Sequence, residues 1–209
     1  DTGIKLRFNW NSAIAINPTD QETIYFGSQF VHKSADKGHT WEIISPDLTT
    51  NNKEKQKQHE SGGITMDATG AENHCTILAI EPSVLDENML WVGTDDGNIQ
   101  LTLDGGNTWT NVSKNIKDMP KESWVAQIRA SKFNKGEVYA VVNNYRQFDF
   151  KPYLFRTRDY GKTWENITPS VRKMLNEMTE LISSNNNFAR LRKTVNVTKP
   201  PCIPYIGIY

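Results

Sequence analysis

Three aspartates, Asp36, Asp104 and Asp159, recur in one frame, S/T-x-D-x-G-x-T-W, at residues 34–41, 102–109 and 157–164. A carboxylate repeated at fixed spacing could serve acid–base chemistry, but its neighbours point to a turn. An Asp in such a frame accepts hydrogen bonds from its own backbone, and the Gly after it supplies the positive φ of a tight hairpin. Thr opens the returning strand, and Trp drives that strand into a core by removing about 150–250 Å² from water. The repeated positions are therefore read as structural. They are Ser34, Asp36, Gly38, Thr40 and Trp41; Thr102, Asp104, Gly106, Thr108 and Trp109; and Thr157, Asp159, Gly161, Thr163 and Trp164.

Outside that frame, Asp95, Asp96 and Glu122 are the carboxylates of interest. Glycoside hydrolysis asks for two carboxylates about 5–9.5 Å apart, yet Asp95-Asp96-Gly97 is also what a plain hairpin turn requires. Arg7, Arg129 and Arg146 are residues of the type that clamps a substrate carboxylate, but no sialidase-type arginine motif accompanies them. His32, His39, His59 and His74 lack metal-ligand spacing, and no phosphate loop or Ser-His-Asp pattern is present. No catalytic residue, metal or cofactor is expected. Ring-bearing residues offer more. Trp10, His74 and Trp124 stand six residues before Ile16, Ile80 and Ala130, where successive strands begin. They read either as a stacking platform for a sugar or peptide or as packing between neighbouring units. Arg7, Asn9, Asp95 and Arg146 are the expected polar neighbours.

Positioning these groups falls to a repeated four-strand unit, and a repeat outranks every local reading. β-Branched and aromatic runs place strands at 12–16, 23–26, 30–33 and 42–44; at 76–80, 89–92, 98–101 and 110–112; and at 126–130, 137–141, 153–156 and 165–167. The tryptophans that close the octamers are 68 and 55 residues apart, and an insertion at 47–73 lengthens the first interval. Four-stranded units of this length point to β-propeller blades. The fold class expected is mainly β, with three antiparallel blades of an incomplete propeller and a short α-helical tail. Closure takes roughly four to eight blades, so the chain reads as an arc cut from a larger ring, open on two faces and prone to self-association. In an up-and-down blade the octamers, as third hairpin tips, face away from the blade connections and the candidate ligand residues.

Composition changes at residue 168. Residues 169–209 hold six Lys/Arg against two Asp/Glu, net +4, and the remaining 18 against 22 leave residues 1–168 at −4. The organisation expected is a partial propeller at 1–168 and a helical segment at 169–209. Val171, Leu175, Met178 and Ile182 fall at helical spacing, with Thr168 as N-cap and Pro169 at the first helical position. A second helix is expected at 187–195 and an extended run at 200–204. Cys75 and Cys202 suggest free thiols rather than a disulfide framework. No apolar run reaches the roughly 18 residues of a membrane span, and a balanced net charge gives no support to nucleic-acid binding.

The octamer resembles the Asp-box, or bacterial neuraminidase repeat. With Leu6-Arg-Phe-Asn-Trp-Asn11, Ser45-Pro-Asp-Leu-Thr49, Leu90-Trp-Val-Gly-Thr-Asp-Asp-Gly97 and Phe150-Lys-Pro-Tyr-Leu-Phe155, residues 4–168 resemble sortilin-like propellers and secreted proteins of the glycosyl hydrolase-like type. That resemblance implies a non-catalytic binding or scaffold propeller, a peptide or glycan ligand and a secreted or lumenal setting. Residues 186–209 resemble Ras-family guanine-nucleotide exchange factors, at the end of a helix and the apolar turn after it. This second resemblance implies a cytoplasmic setting and a small GTPase partner, but the helical hairpin that opens the GTPase site in that family is not matched.

Overall fold

The computed structural model describes residues 3–57 and 71–184, which fall in two compact units, Asp1–Asn166 and Ile167–Tyr209. The first unit is three four-stranded antiparallel sheets, each ordered along the chain. The first sheet is β1 (Ile14–Ile16), β2 (Ile24–Gly27), β3 (Val31–Ser34) and β4 (Glu42–Ile43). The second is β5 (Ile77–Pro82), β6 (Leu90–Thr94), β7 (Ile99–Thr102) and β8 (Thr110–Asn111). The third is β9 (Trp124–Ala130), β10 (Val138–Asn144), β11 (Asp149–Thr157) and β12 (Glu165–Asn166). These are the expected blades.

Burial follows their stacking. Every residue of β6 and β7 is buried, as a sheet covered on both faces requires. Leu90 and Val92 join Ala13, Tyr25, Val31, Leu48 and Ile77 in a core toward the first sheet. Trp91 points the other way, into a larger core with Val125, Ile128, Val138, Ala140 and Phe155 of the third sheet. This period-two split across β6 makes the middle blade the hub of the arc.

Each octamer turn is closed by the same bonds. Asp104 Oδ1 accepts from Thr108 N at 2.8 Å and Thr102 Oγ1 at 2.8 Å, and Oδ2 accepts from Thr108 Oγ1 at 2.6 Å. Asp36 and Asp159 repeat this with Thr40 and Ser34, and with Thr163 and Thr157. The Ser/Thr oxygen in turn accepts from Gly38, Gly106 or Gly161 N. Each Trp Nε1 donates to the carbonyl of that same Gly. Every defined letter of the octamer thus has a partner within the turn. Bonds from Thr40 hold the Asp36 carboxyl down from its ordinary 3.8 to about 2, and those from Thr108 do the same for Asp104.

The residue before each Gly is also left-handed, with φ 59° at Lys37, 70° at Gly105 and 60° at Tyr160. Its N–H donates to the first turn of its own sheet, at the carbonyls of Glu22, Asn88 and Gly136. First and third tips therefore lie together, as the up-and-down order demands.

Three details depart from expectation. Trp41 is 46% exposed. Trp109 and Trp164 are half-buried because each meets the preceding sheet: Trp109 Nε1 also donates to Ile44 O, and Trp164 packs edge-on to Trp91. Trp41 meets Phe26 of its own sheet. The connection between the strands expected at 137–141 and 153–156 is shorter, because β11 already pairs at Asp149 with Asn144 and Tyr153 Oη donates to the Asp149 carboxylate. The insertion is not wholly loose either. Leu48 is buried in the core, and Glu54–Gln56 forms a 3-10 turn.

In the second unit, α1 (Thr168–Ser184) covers the expected helix and starts one residue sooner. Val171 N donates to Ile167 O, so Thr168 lies inside the first turn rather than capping it. The expected helix at 187–195, the extended run at 200–204 and Cys202 lie outside the described residues.

The octamer glycines give an internal comparison. Gly38 has φ +93° but only Trp41 near a new Cβ, at 3.6 Å. At Gly106, with φ +105°, the Cβ would lie 2.6 Å from Ile44 O. Gly38→Ala is expected to cost about 1 kcal/mol from backbone strain, and Gly106→Ala about 2–4 kcal/mol from strain plus overpacking. Urea denaturation of both variants checks the order; equal losses would remove the role of the junction.

Candidate functional site

The ends of the sheets away from the octamers carry the candidate ligand residues. β6 ends at Thr94, and residues 95–98 turn back into β7 with Gly97 at φ +93°. Asp95 is fully buried. Its Oδ1 accepts from Thr76 N at 2.9 Å and its Oδ2 from Thr76 Oγ1 at 2.7 Å. Asp96, also buried, accepts from Thr94 Oγ1, Thr50 N and Thr50 Oγ1. Both carboxylates are therefore spent on holding loops together. Glu122, the remaining carboxylate candidate, pairs with Lys55.

His74 Nδ1 lies 3.4 Å from Asp95 Oδ2, while its Nε2 is buried with no hydrogen-bond partner among the described residues. Opposite, the Arg146 guanidinium stacks 3.1 Å from the Trp124 ring centroid and 4.3 Å from that of Tyr145. The Asp95 charge acts on Arg146, although burial lowers the guanidinium's pKa overall. His74, Asp95, Trp124 and Arg146 thus gather in one place, with a cation in contact with two rings. Tyr145 is the member that sequence reasoning passed over. Its position three residues after Val142 in a β10–β11 turn was the available signal.

Other candidates do different work. Arg7 is buried and acts as a strut. Its Nε donates to Cys75 O at 3.0 Å, and its Nη2 donates to Asp47 at 2.6 Å and Thr49 at 3.2 Å. Those bonds pin the start of the insertion beneath the second sheet. Asn9 pairs with Glu72 in an isolated bridge and caps its own turn at Asn11 and Ser12. Trp10 is 67% exposed, with Nε1 3.3 Å from Glu72. The six-residue recurrence of rings does not survive the register. The residues two pairings away from the octamer starts are Ile16, Pro82 and Ala130, so Pro82 rather than Ile80 corresponds to Ile16. Cys75, next to His74, is a buried thiol at φ 63° whose pKa is pushed up to about 11, mainly by burial and then by the Asp96 charge.

Known proteins match two different stretches of the chain. Residues 156–209 match the RasGEF domain family, a match that begins inside β11. Ras-specific guanine nucleotide-releasing factor 1 of Rattus norvegicus is 35% identical over 56 residues, which is 27% of this chain and 4% of that protein. The strand region is similar to an oligoxyloglucan-reducing end-specific xyloglucanase of Emericella nidulans, 24% identical over 163 residues, 74% of this chain and 17% of the relative. In three dimensions it is similar to a GH74 enzyme of Niastella koreensis, with a TM-score of 0.50 at 15% identity, covering 74% of this chain and 22% of that one. Both resemblances therefore hold: a propeller fold for the strand region and RasGEF similarity for the C-terminal stretch. The chain spans less than a quarter of each of these relatives.

Proposed function

We propose that this chain is a non-catalytic binding arc of the Asp-box type, sortilin-like or glycosyl hydrolase-like, which takes a peptide or glycan on the face opposite the octamers. The observation that carries this is the Arg146 guanidinium layered on Trp124 and Tyr145 beside the His74–Asp95 pair. Such a stack offers an apolar plane with a charged edge, suited to a sugar ring or an aromatic or acidic side chain. Occupied carboxylates at Asp95 and Asp96 favour binding over hydrolysis.

The test is a glycan array and a peptide array probed with the whole chain. Trp124→Ala and Arg146→Ala are each expected to weaken capture about tenfold or more, as loss of a cation–π anchor does. Unchanged capture by both variants would move the site elsewhere. A second reading, a remnant of a Ras-family exchange factor, is favoured by the match over residues 156–209. Nucleotide release from a Ras-family GTPase is expected to stay at its intrinsic rate, because the match reaches only 54 residues of this chain. Release that accelerates in proportion to added chain would favour the second reading.

A further inference from the structure

A cavity of about 530 Å³ opens beside the third octamer, where the chain leaving β8 meets β11 and β12. Its wall includes Phe155, Trp164 and three lysines, Lys114, Lys117 and Lys162. It shares no residue with the site proposed above.

The repeat supplies an internal reference for these lysines. At the first junction Ile44 N donates to Val31 O, and Ile44 meets Gly106. At the second, Val112 N donates to Ile99 O, and Val112 meets Gly161. Leu48 and Ile116, four residues on from Ile44 and Val112, are both buried. Counting from these anchors, Lys114, Lys117 and Lys162 replace Pro46, Thr49 and Asn107. Three neutral positions at one junction become three cations around one cavity at the next. The fold does not require the charges, since the first junction closes without them.

The cavity wall is left net positive, with three lysines against one aspartate. Lys33, Lys37, Lys55 and Lys135 of this unit have carboxylate partners, but among the described residues none of the three cavity lysines does. Asp118 lines the same cavity without pairing to any of them. Like charges that converge on a concavity repel one another, and an anion relieves that repulsion. The volume lies within the roughly 300–1,000 Å³ of small-ligand sites. The half-buried Trp164 indole offers an apolar plane, and Asn115 and Thr163 add neutral polar edges. Lysines, as flexible point charges, suit a ligand whose anionic groups vary in position; bidentate phosphate recognition would draw on arginine.

We propose that this cavity binds an anionic saccharide, its ring lying against Trp164 and its sulfate or carboxylate groups paired with Lys114, Lys117 and Lys162.

The experiment is calorimetric titration of the whole chain with three hexasaccharides: chondroitin sulfate, carrying sulfate and carboxylate; hyaluronan, carrying carboxylate alone; and neutral chitohexaose. Binding of one or both acidic sugars, weakening with salt, and no binding of chitohexaose are expected. Sulfate dependence shows as a preference for chondroitin sulfate, carboxylate sufficiency as equal binding of hyaluronan. Lys114→Glu and Lys162→Glu, at exposed positions, are each expected to weaken binding about fivefold or more, with circular dichroism unchanged. Lys121→Glu, outside the cavity, is expected to leave binding unaltered. Equal binding of chitohexaose, full binding by the Lys114→Glu/Lys162→Glu double variant, or lysine-dependent binding of inorganic polyphosphate without any saccharide binding would overturn the proposal.

Discussion

Trp91→Ala lowers the free energy of unfolding by about 3–5 kcal/mol, the range for deleting a large aromatic from a packed core. Trp91 is fully buried in β6 and meets Trp164 edge-on, with centroids 6.4 Å apart and planes at 87°. It joins the second and third sheets, so its loss opens the larger of the two cores. Its Nε1 is buried with no partner among the described residues, and an unmet donor is costly. Trp91→Phe, which keeps an aromatic ring and removes that donor, should therefore cost about 1.5 kcal/mol or less. Trp41→Ala, at the equivalent of Trp164 in the first octamer but half-exposed, should cost no more than about 1 kcal/mol. Urea titrations of the three variants check the ranking. A loss below that of Trp41→Ala at Trp91 would show that the sheet junction is not held by this indole.

The second large effect concerns association. The face of the first sheet turned away from the second carries Ile14, Ile16, Ile24 and Phe26, which share that face through the β1–β2 register. Ile14 and Ile16 are 71% and 59% exposed. Phe8, His32 and Trp41 extend the patch around Phe26. At the inner junctions the positions of Ile24 and Phe26 are held by Leu90 and Val92, and by Val138 and Ala140, all buried. The first sheet thus shows to solvent a surface that its sister sheets cover. Exposed apolar patches beyond a few hundred Å² favour association. The chain is expected to self-associate at micromolar concentration and to brighten a hydrophobic dye. Head-to-tail stacking on the opposite face of the third sheet, with Tyr139 and Val141 in the register of Tyr25 and Gly27, is the geometry that repeats the inner junctions. Ile14→Asp/Ile16→Asp is expected to abolish both signals without unfolding, since both side chains are already wet. Sedimentation as a compact, dye-silent monomer by the unsubstituted chain would sink the expectation.

Propeller blades were legible in the sequence because the octamer closes on itself. Its Ser/Thr, Asp, Gly, Thr and Trp bond one another within eight residues, so composition at fixed spacing suffices to specify the turn. Strand number and order followed, since hairpins between β-rich runs leave little topological choice. The helix beginning at Thr168 was legible for the same reason, its apolar spacing being local.

The candidate site was legible in part. Asp95, His74, Trp124 and Arg146 were named as ring-bearing or charged residues at one end of the strands, and they do converge. Arg7 could not be told from a ligand residue, because its partners Cys75 and Asp47 are 68 and 40 positions away. Tyr145, the saturation of Asp96 by Thr50 at a separation of 46, and the lysine cavity likewise depend on neighbours from other segments or other sheets.

By itself, then, the sequence determined the turns, the number of blades and their order, all set by bonds between near neighbours along the chain. Tertiary structure alone decided which of three identical tryptophans is covered, which charged side chains are struts and which remain available, and where cations converge. Those outcomes turn on the face a sheet presents to the next one, and a single blade's residues do not carry that information.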